Sequence, residues 1–266
     1  MIDLHCHVLH GIDDGPQALE GSLAIARAAA AAGTRTLVAT PHVSWRYQNG
    51  AERIAELVGE LNGELNGEGI ALEVRSAAEI AMTRLPDLGP DELAKLGYGG
   101  GRWLLIEPPF AAVASGLELI VADLKRRGHR IVLAHPERCD ALRRDPELLG
   151  SLVRDGVLTS ITAGSLTGAF GETVRRFALA LAGEGMVHNV ASDAHDPVHR
   201  PPTMAGAIEQ AGLGPLTEWL TEEIPAAILA DEDRVPRRPA LALPGLAVAR
   251  QSWWRRVARG RATRAS

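Results

Sequence analysis

GHRIVLAHPER, residues 128–138, sets the terms for the whole chain. A helical run over 112–127 stops at Gly128, where a glycine just past a helix end is favoured. The apolar, β-prone stretch IVLAH (131–135) follows, too short for a helix and without the alternation of a half-solvated strand. It reads as a buried strand of a parallel sheet. His135 stands at its carboxyl end, with Arg138 three residues on.

The same unit recurs along the chain. MIDL opens it; RTLVAT (35–40), IALEVRSA (70–77), WLLIE (103–107), LTSIT (158–162) and VHNVAS (187–192) are the other strand candidates. Helices are expected over Pro16–Ala32, 51–66, 146–154, 172–183 and about 203–230. Seven strands joined mostly by helical crossovers predict a parallel α/β sheet, open or closed into a barrel. Beyond about residue 230, DEDRVPRRPALALPG is rich in Pro and charge, so residues 1–230 are read as one domain and 231–266 as a Pro/Arg-rich tail, partly ordered at most.

Composition excludes several classes. At 266 residues with 46% hydrophobic and 23% charged residues, the chain can bury a large core. A net charge of −5 gives no field for nucleic acid. Two cysteines, Cys6 and Cys139, make no disulfide framework and point to a reducing compartment. There is no signal-like opening and no apolar run of membrane-spanning length, so a cytoplasmic protein is expected.

Metal-capable side chains gather at the strand ends. His5 and His7 end strand one, Asp14 lies in the following GIDDG loop, and His42 follows strand two. Glu79 follows strand three, Glu107 ends strand four, His135 ends strand five, and Asp193 and His195 follow strand seven. In a β/α barrel these ends share one face, where active sites are built. Strand alternation puts His5 and His7 on one side and Cys6 on the other. A mixed His/Asp/Glu set suits Mn, Fe or Zn better than Ca or Mg, and such ions lower the pKa of bound water and clamp oxyanions. Arg138 and Arg200 are expected to hold phosphate, because a guanidinium fork matches its oxygens. Strand six ends in TAGS without a ligand and is assigned a shaping role. A cysteine-based phosphatase needs an Arg six positions after the thiol; those positions are Ile12 and Asp145, which disfavours it.

Together MIDLHCH, GIDDGP, ATPH, AEI, LLIE, AHPER, TAGSLTGAFG and ASDAH…RPPTM resemble the manganese-dependent protein-tyrosine phosphatases of bacterial capsule and exopolysaccharide biosynthesis, within the PHP (polymerase and histidinol phosphatase) superfamily. The resemblance runs in order from residue 1 to about 230. It implies a distorted seven-stranded (β/α)7 TIM-like barrel with three divalent metal ions, Mn first and Fe or Zn as substitutes. One ion would take His5, His7, Glu79 and Asp193, a second the bridging Glu79 with Glu107 and His135, a third Asp14, His42 and His195. A metal-bridging hydroxide would attack a phosphate held by Arg138 and Arg200. The implied partner is a phosphotyrosine protein, a tyrosine-autophosphorylated kinase of polysaccharide assembly; homo-oligomerisation stays open. Val43 in TPHV and the SAAEI lead into Glu79 depart from the family pattern without touching a ligand, and alter the pocket rim. Metal motifs do not separate this substrate from a small phosphomonoester such as histidinol phosphate; the substrate contacts are expected in loops near 44–50, 82–98 and 108–115. A PHP-type module acting on nucleic acid is disfavoured by the acidic balance. The stretch 248–266 carries six Arg, no acid and Trp253–Trp254, and is either a solvated terminus or a dock for an anionic membrane or partner.

Overall fold

Nine short strands form among the described residues, and all pair in parallel. The computed structural model describes residues 1–109 and 116–241. The strands are β1 (Ile2–Cys6), β2 (Thr36–Ala39), β3 (His42–Val43), β4 (Glu73–Ser76), β5 (Glu79–Ala81), β6 (Trp103–Glu107), β7 (Arg130–Ala134), β8 (Leu158–Thr162) and β9 (Asn189–Ala191). They make two sheets, ordered β1-β2-β4 and β3-β5-β6-β7-β8-β9, with no continuous closed ladder among the described residues.

Seven strands were expected and nine segments are found because two runs break. Pro41 has no N–H to donate, so the ladder lapses between β2 and β3. The chain keeps its course across the lapse: Ala77 N–H donates to Ala39 (2.9 Å) and Glu79 N–H to the Pro41 carbonyl (3.1 Å). The last strand leans on the first, Asp193 N–H donating to His5 and His7 N–H to Ala194, both at 2.8 Å. Side chains on both faces of the strands are buried, Leu37, Leu105 and Val132 on the face that carries His5 and Leu4, Ile80, Ile161 and Val190 on the face toward the helices.

Helices over Leu19–Ala31, Ala51–Gly67, Leu117–Arg126, Pro146–Arg154 and Glu172–Gly183 pack outside. The first starts three residues later than Pro16, whose carbonyl instead accepts Gly11 N–H (2.9 Å) and closes the GIDDG loop. The 203–230 stretch is not one helix: Gly212, Gly214 and Pro215 interrupt it, leaving Ala205–Gln210 and, after a wide turn, Ile224–Leu229. Shorter helices at Pro90–Lys95, Asp140–Arg144 and Ala163–Thr167 were not anticipated. Part of the expected 112–127 helix, most of the 108–115 loop and the Arg/Trp stretch 248–266 lie outside the described residues. Residues 231–236 pack on the amino ends of the strands: Glu232 and Pro236 carbonyls accept the Trp103 and Trp219 indole N–H groups. No described helix is long and apolar enough to cross a membrane.

Candidate metal centre

Two of the strand-end residues sit on backbone that L-residues rarely adopt. His135 has φ +28° and Asp193 φ +52°. Such conformations cost roughly 1–3 kcal/mol and persist where surroundings over-determine them. Here His135 N–H is held by the Ser160 carbonyl and Asp193 N–H by that of His5, both at 2.8 Å. The kink after each strand turns the side chain inward over the sheet ends.

All nine expected side chains converge there, in four overlapping groups whose donor atoms lie within 4.8 Å of one another. His5, His7 and Asp193 form one, with His5 Nε2 and His7 Nε2 at 3.5 and 3.6 Å from Asp193 Oδ1. His7, Asp14, His42 and His195 form another, Asp14 Oδ1 lying 3.5 Å from His42 and 3.3 Å from His195. Glu79 joins two groups, one with His5 and His135 (2.7 Å from His135 Nε2) and one with His42 and Glu107. The grouping differs from the sets that the resemblance implies: His7 also reaches the Asp14 group, Glu79 groups with His5 and His135 rather than with His5, His7 and Asp193, and Glu107 sits with His42 while lying 4.0 Å from His135.

The chemistry of this set fits cations. Glu79 Oε2 is buried and receives no hydrogen bond of good geometry, yet nitrogens of His42, His5 and His7 lie at 3.0, 3.3 and 3.3 Å. His5 Nε2 and His7 Nε2 face each other at 3.2 Å. Lone pairs so aimed, with buried carboxylates among them, are costly unless a positive charge sits between. Five imidazoles with four carboxylates suit a transition metal or zinc. Six of the nine are nearly inaccessible, whereas Asp14 is half-exposed and marks the opening.

The groups already bias one another's charge. Burial alone would lower the His7 pKa, but the Asp13 and Glu79 carboxylates outweigh it and raise it to about 10. Burial and then the charge of Glu79 push the Glu107 carboxyl up to about 8. Asp193 is buried, which opposes ionisation, yet His5, His135, Arg200 and Arg138 hold it well below the usual carboxylate range.

Three contributors escaped the sequence reading. Asp13, beside the expected Asp14, grips His7 Nδ1 at 2.7 Å and accepts N–H groups of Gly15 (2.9 Å) and His42 (3.1 Å), leaving His7 Nε2 facing the cluster. An outer carboxylate of this kind fixes ring orientation and basicity. The GIDDG motif offers both acids, and only the loop decides which turns to His7; a side chain at Gly15 would lie 2.4 Å from the His7 carbonyl. Phe170, in the TAGSLTGAFG run, lies beneath both arginines, 4.5 Å from the Arg138 guanidinium and 5.9 Å from that of Arg200. Tyr47 stacks on His42 at 5.7 Å. Arg138 and Arg200 themselves meet on one atom, Asp193 Oδ2, at 2.5 and 2.7 Å.

Comparison with known proteins gives the chain's relatives. A family model described as capsular polysaccharide synthesis, CpsB/CapC, matches residues 1–212. The chain is 40% identical over 200 residues to the tyrosine-protein phosphatase YwqE of Bacillus subtilis (strain 168), covering 74% of this chain and 78% of that one. It is 30% identical over 217 residues to the tyrosine-protein phosphatase CpsB of Streptococcus pneumoniae, covering 79% and 88%. A solved chain from work on YwqE and CpsB, described as unique metal-dependent tyrosine phosphatases, superposes with a TM-score of 0.77 at 33% identity over 91% of this chain and all of that one. A dihydropyrimidinase from Brevibacillus agri NCHU1002 reaches a TM-score of 0.52 at 12% identity, covering 91% and 72%, a likeness of fold alone.

Proposed function

The chain belongs to the CpsB/CapC family of capsular polysaccharide synthesis, and from that membership we propose that it is a metal-dependent phosphatase of protein phosphotyrosine. The observation that carries the reading is the meeting of Arg138 and Arg200 at the edge of a nine-donor cluster, on the carboxylate of Asp193. Two guanidinium forks backed by one aromatic face present a planar array of N–H donors suited to the oxygens of a phosphoryl group. Phe170 keeps the two forks side by side.

His5, His7, Asp14, His42, Glu79, Glu107, His135, Asp193 and His195 would hold the cations, three in number and manganese by preference, with Fe or Zn as substitutes. When bound, these supply a water ionised near neutral pH and charge to balance the phosphate. The protein's own residues orient and exclude: Asp13 sets the His7 ring, the arginines set the phosphate, and the buried walls keep bulk water from the reacting oxygens. Neither cysteine competes for the role of nucleophile. Cys6 is buried with its thiol pushed well up, by burial first and then by nearby acids, and burial raises Cys139 too.

Hydrogen bonds across the breaks at Pro41 and Ala77, and between β9 and β1, support one distorted seven-stranded barrel of the PHP type. The substrate would be a tyrosine-autophosphorylated kinase of exopolysaccharide assembly, met in the cytoplasm. Stripping the protein with chelator and reloading it with Mn, Fe, Zn or Mg, against phosphotyrosine peptide and histidinol phosphate, tests it. Activity should vanish on stripping, return best with Mn, and favour the peptide. Faster turnover of histidinol phosphate would assign a small-molecule phosphatase instead.

A further inference from the structure

Beside His42 stands a tight hairpin with an unusual tip. Val43 and Gln48 pair antiparallel, Ser44 N–H donates to the Tyr47 carbonyl at 2.8 Å, and Tyr47 N–H donates back to Ser44 Oγ at 3.1 Å. Asn49 ties its foot to the carbonyls of Ile12 (2.9 Å) and His42 (2.8 Å), fastening it to the loop that carries Asp13 and Asp14. So braced, the turn holds Trp45 out with 58% of its surface exposed. Burying that indole against the protein would have been favourable by its area alone, so its display calls for an explanation.

Arginines flank the aromatic rings. Arg84, from the turn Met82–Asp87 just past Glu79, lies over the Trp45 ring at 4.7 Å, and the exposed Arg46 lies over the Tyr47 ring at 5.0 Å. Tyr47 in turn stacks on His42. Arg84 meets Asp87 at 3.6 Å, while Arg46 has no carboxylate within ion-pair distance among the described residues. The edge is therefore net positive and aromatic beside a mouth lined with carboxylates. Trp, Tyr and Arg are also the side chains on which interface energy concentrates.

We propose that this edge is a docking site for the polypeptide flanking the phosphotyrosine, and that it selects acidic segments. The inference rests on the phosphotyrosine reading above and deepens it. With the phosphate between Arg138 and Arg200, the flanking chain leaves the mouth past His42 and over Tyr47. Its carboxylates meet Arg46 and Arg84, and its next apolar group covers the open face of Trp45. The occupant is acidic because the tip's cations outnumber its one acid, Asp87.

The test uses the full-length, Mn-loaded protein with three substrates: p-nitrophenyl phosphate, a phosphotyrosine peptide flanked by Glu, and the same peptide flanked by Lys. The unaltered protein should favour the Glu peptide about tenfold in kcat/KM. The double variant Arg46→Gln/Arg84→Gln should lose most of that preference through KM, and Arg46→Lys/Arg84→Lys should restore it. Trp45→Ala should raise KM about fivefold for both peptides. p-Nitrophenyl phosphate, which has no flanks, should be turned over within about twofold of normal throughout. An equal fall on p-nitrophenyl phosphate would mean the residues merely shape the pocket, and would overturn the proposal. So would absence of flank preference in the unaltered protein, or a change of oligomeric state with Trp45→Ala, which would make the edge a self-association surface. Turnover of p-nitrophenyl phosphate but of neither peptide would retire the phosphotyrosine reading itself, an outcome distinct from hydrolysis of both peptides at equal rates.

Discussion

At the carboxyl ends of the strands, imidazoles and carboxylates are packed so that their lone pairs face one another, and two of them ride on strained backbone. At the amino ends, charge is paired and the backbone closes on itself. Arg35 meets Glu222 at 2.7 Å, Arg102 meets Asp231 at 2.9 Å, and Arg130 meets Asp233 at 2.9 Å, all near the surface. Solvent screens exposed pairs of that kind, so each contributes little and the base owes its stability to the apolar layer above it. Strained backbone is not confined to the top, since Asp231 at the base has φ +53°; what divides the two ends is that one gathers imidazoles and carboxylates and the other pairs its charges.

The largest effect expected from this division is at the top. Asp193→Asn should lower kcat/KM on a phosphotyrosine peptide by roughly 10³-fold or more, since charge balance around bound cations is worth several kcal/mol. Metal content by elemental analysis should fall with it. Full activity in that variant would break the comparison. The converse belongs to the outer layer. Phe177, buried in the Glu172–Gly183 helix, should cost about 3–5 kcal/mol of stability when changed to Ala. Below its melting transition, turnover per folded molecule should stay near normal. Loss of turnover without loss of stability would show that the two ends are not separable.

Arg138→Ala sharpens the picture within the top. Removing one preorganised donor costs roughly 10²–10³ in rate. Metal content should remain near normal, because Arg138 touches Asp193 rather than taking a ligand position. Metal loss with intact substrate affinity would recast it as a support for Asp193.

The smallest effect is at the base. Burial, then the charge of Arg238, pushes His188 down from 6.5 to about 4, and Thr159 N–H donates to its Nδ1 at 3.2 Å. The folded state therefore refuses a proton that the unfolded chain accepts. The stability involved is complete above about pH 6.5 and is lost as pH falls toward about 4, at most about 3 kcal/mol. In urea titrations with chelator present, His188→Gln should lose less stability between pH 7 and pH 5 than the unaltered protein. Equal losses would place the acid sensitivity elsewhere.

Much of this was legible beforehand, for reasons particular to strands. His135, Glu107 and Asp193 could be placed because a short apolar run followed by a polar residue has one meaning in a parallel sheet: the side chain stands at the ligand-binding end. The helices at Pro146–Arg154 and Glu172–Gly183 were bounded correctly, since Pro at the first position and glycine nearby fix their ends. Pro41 could have announced the break between β2 and β3. The stretch of about 203–230 is helical as expected, in separate segments because Gly212, Gly214 and Pro215 interrupt it.

The roles of Asp13 and Phe170 were not legible, and for the expected 44–50 loop the display of Trp45 was not. Each depends on a turn or a contact whose geometry is fixed by partners elsewhere in the fold. Periodicity and end signals are local properties, so the sequence alone determined the order of elements, the apolar layer and the inventory of donors at the strand ends. Which acid grips His7, how Glu79 is shared, and that Arg138 and Arg200 converge over Phe170 depend on distances across the sheet. Those follow only from the packing of the whole chain, because a contact between residues thirty or sixty positions apart is set by every element folded between them.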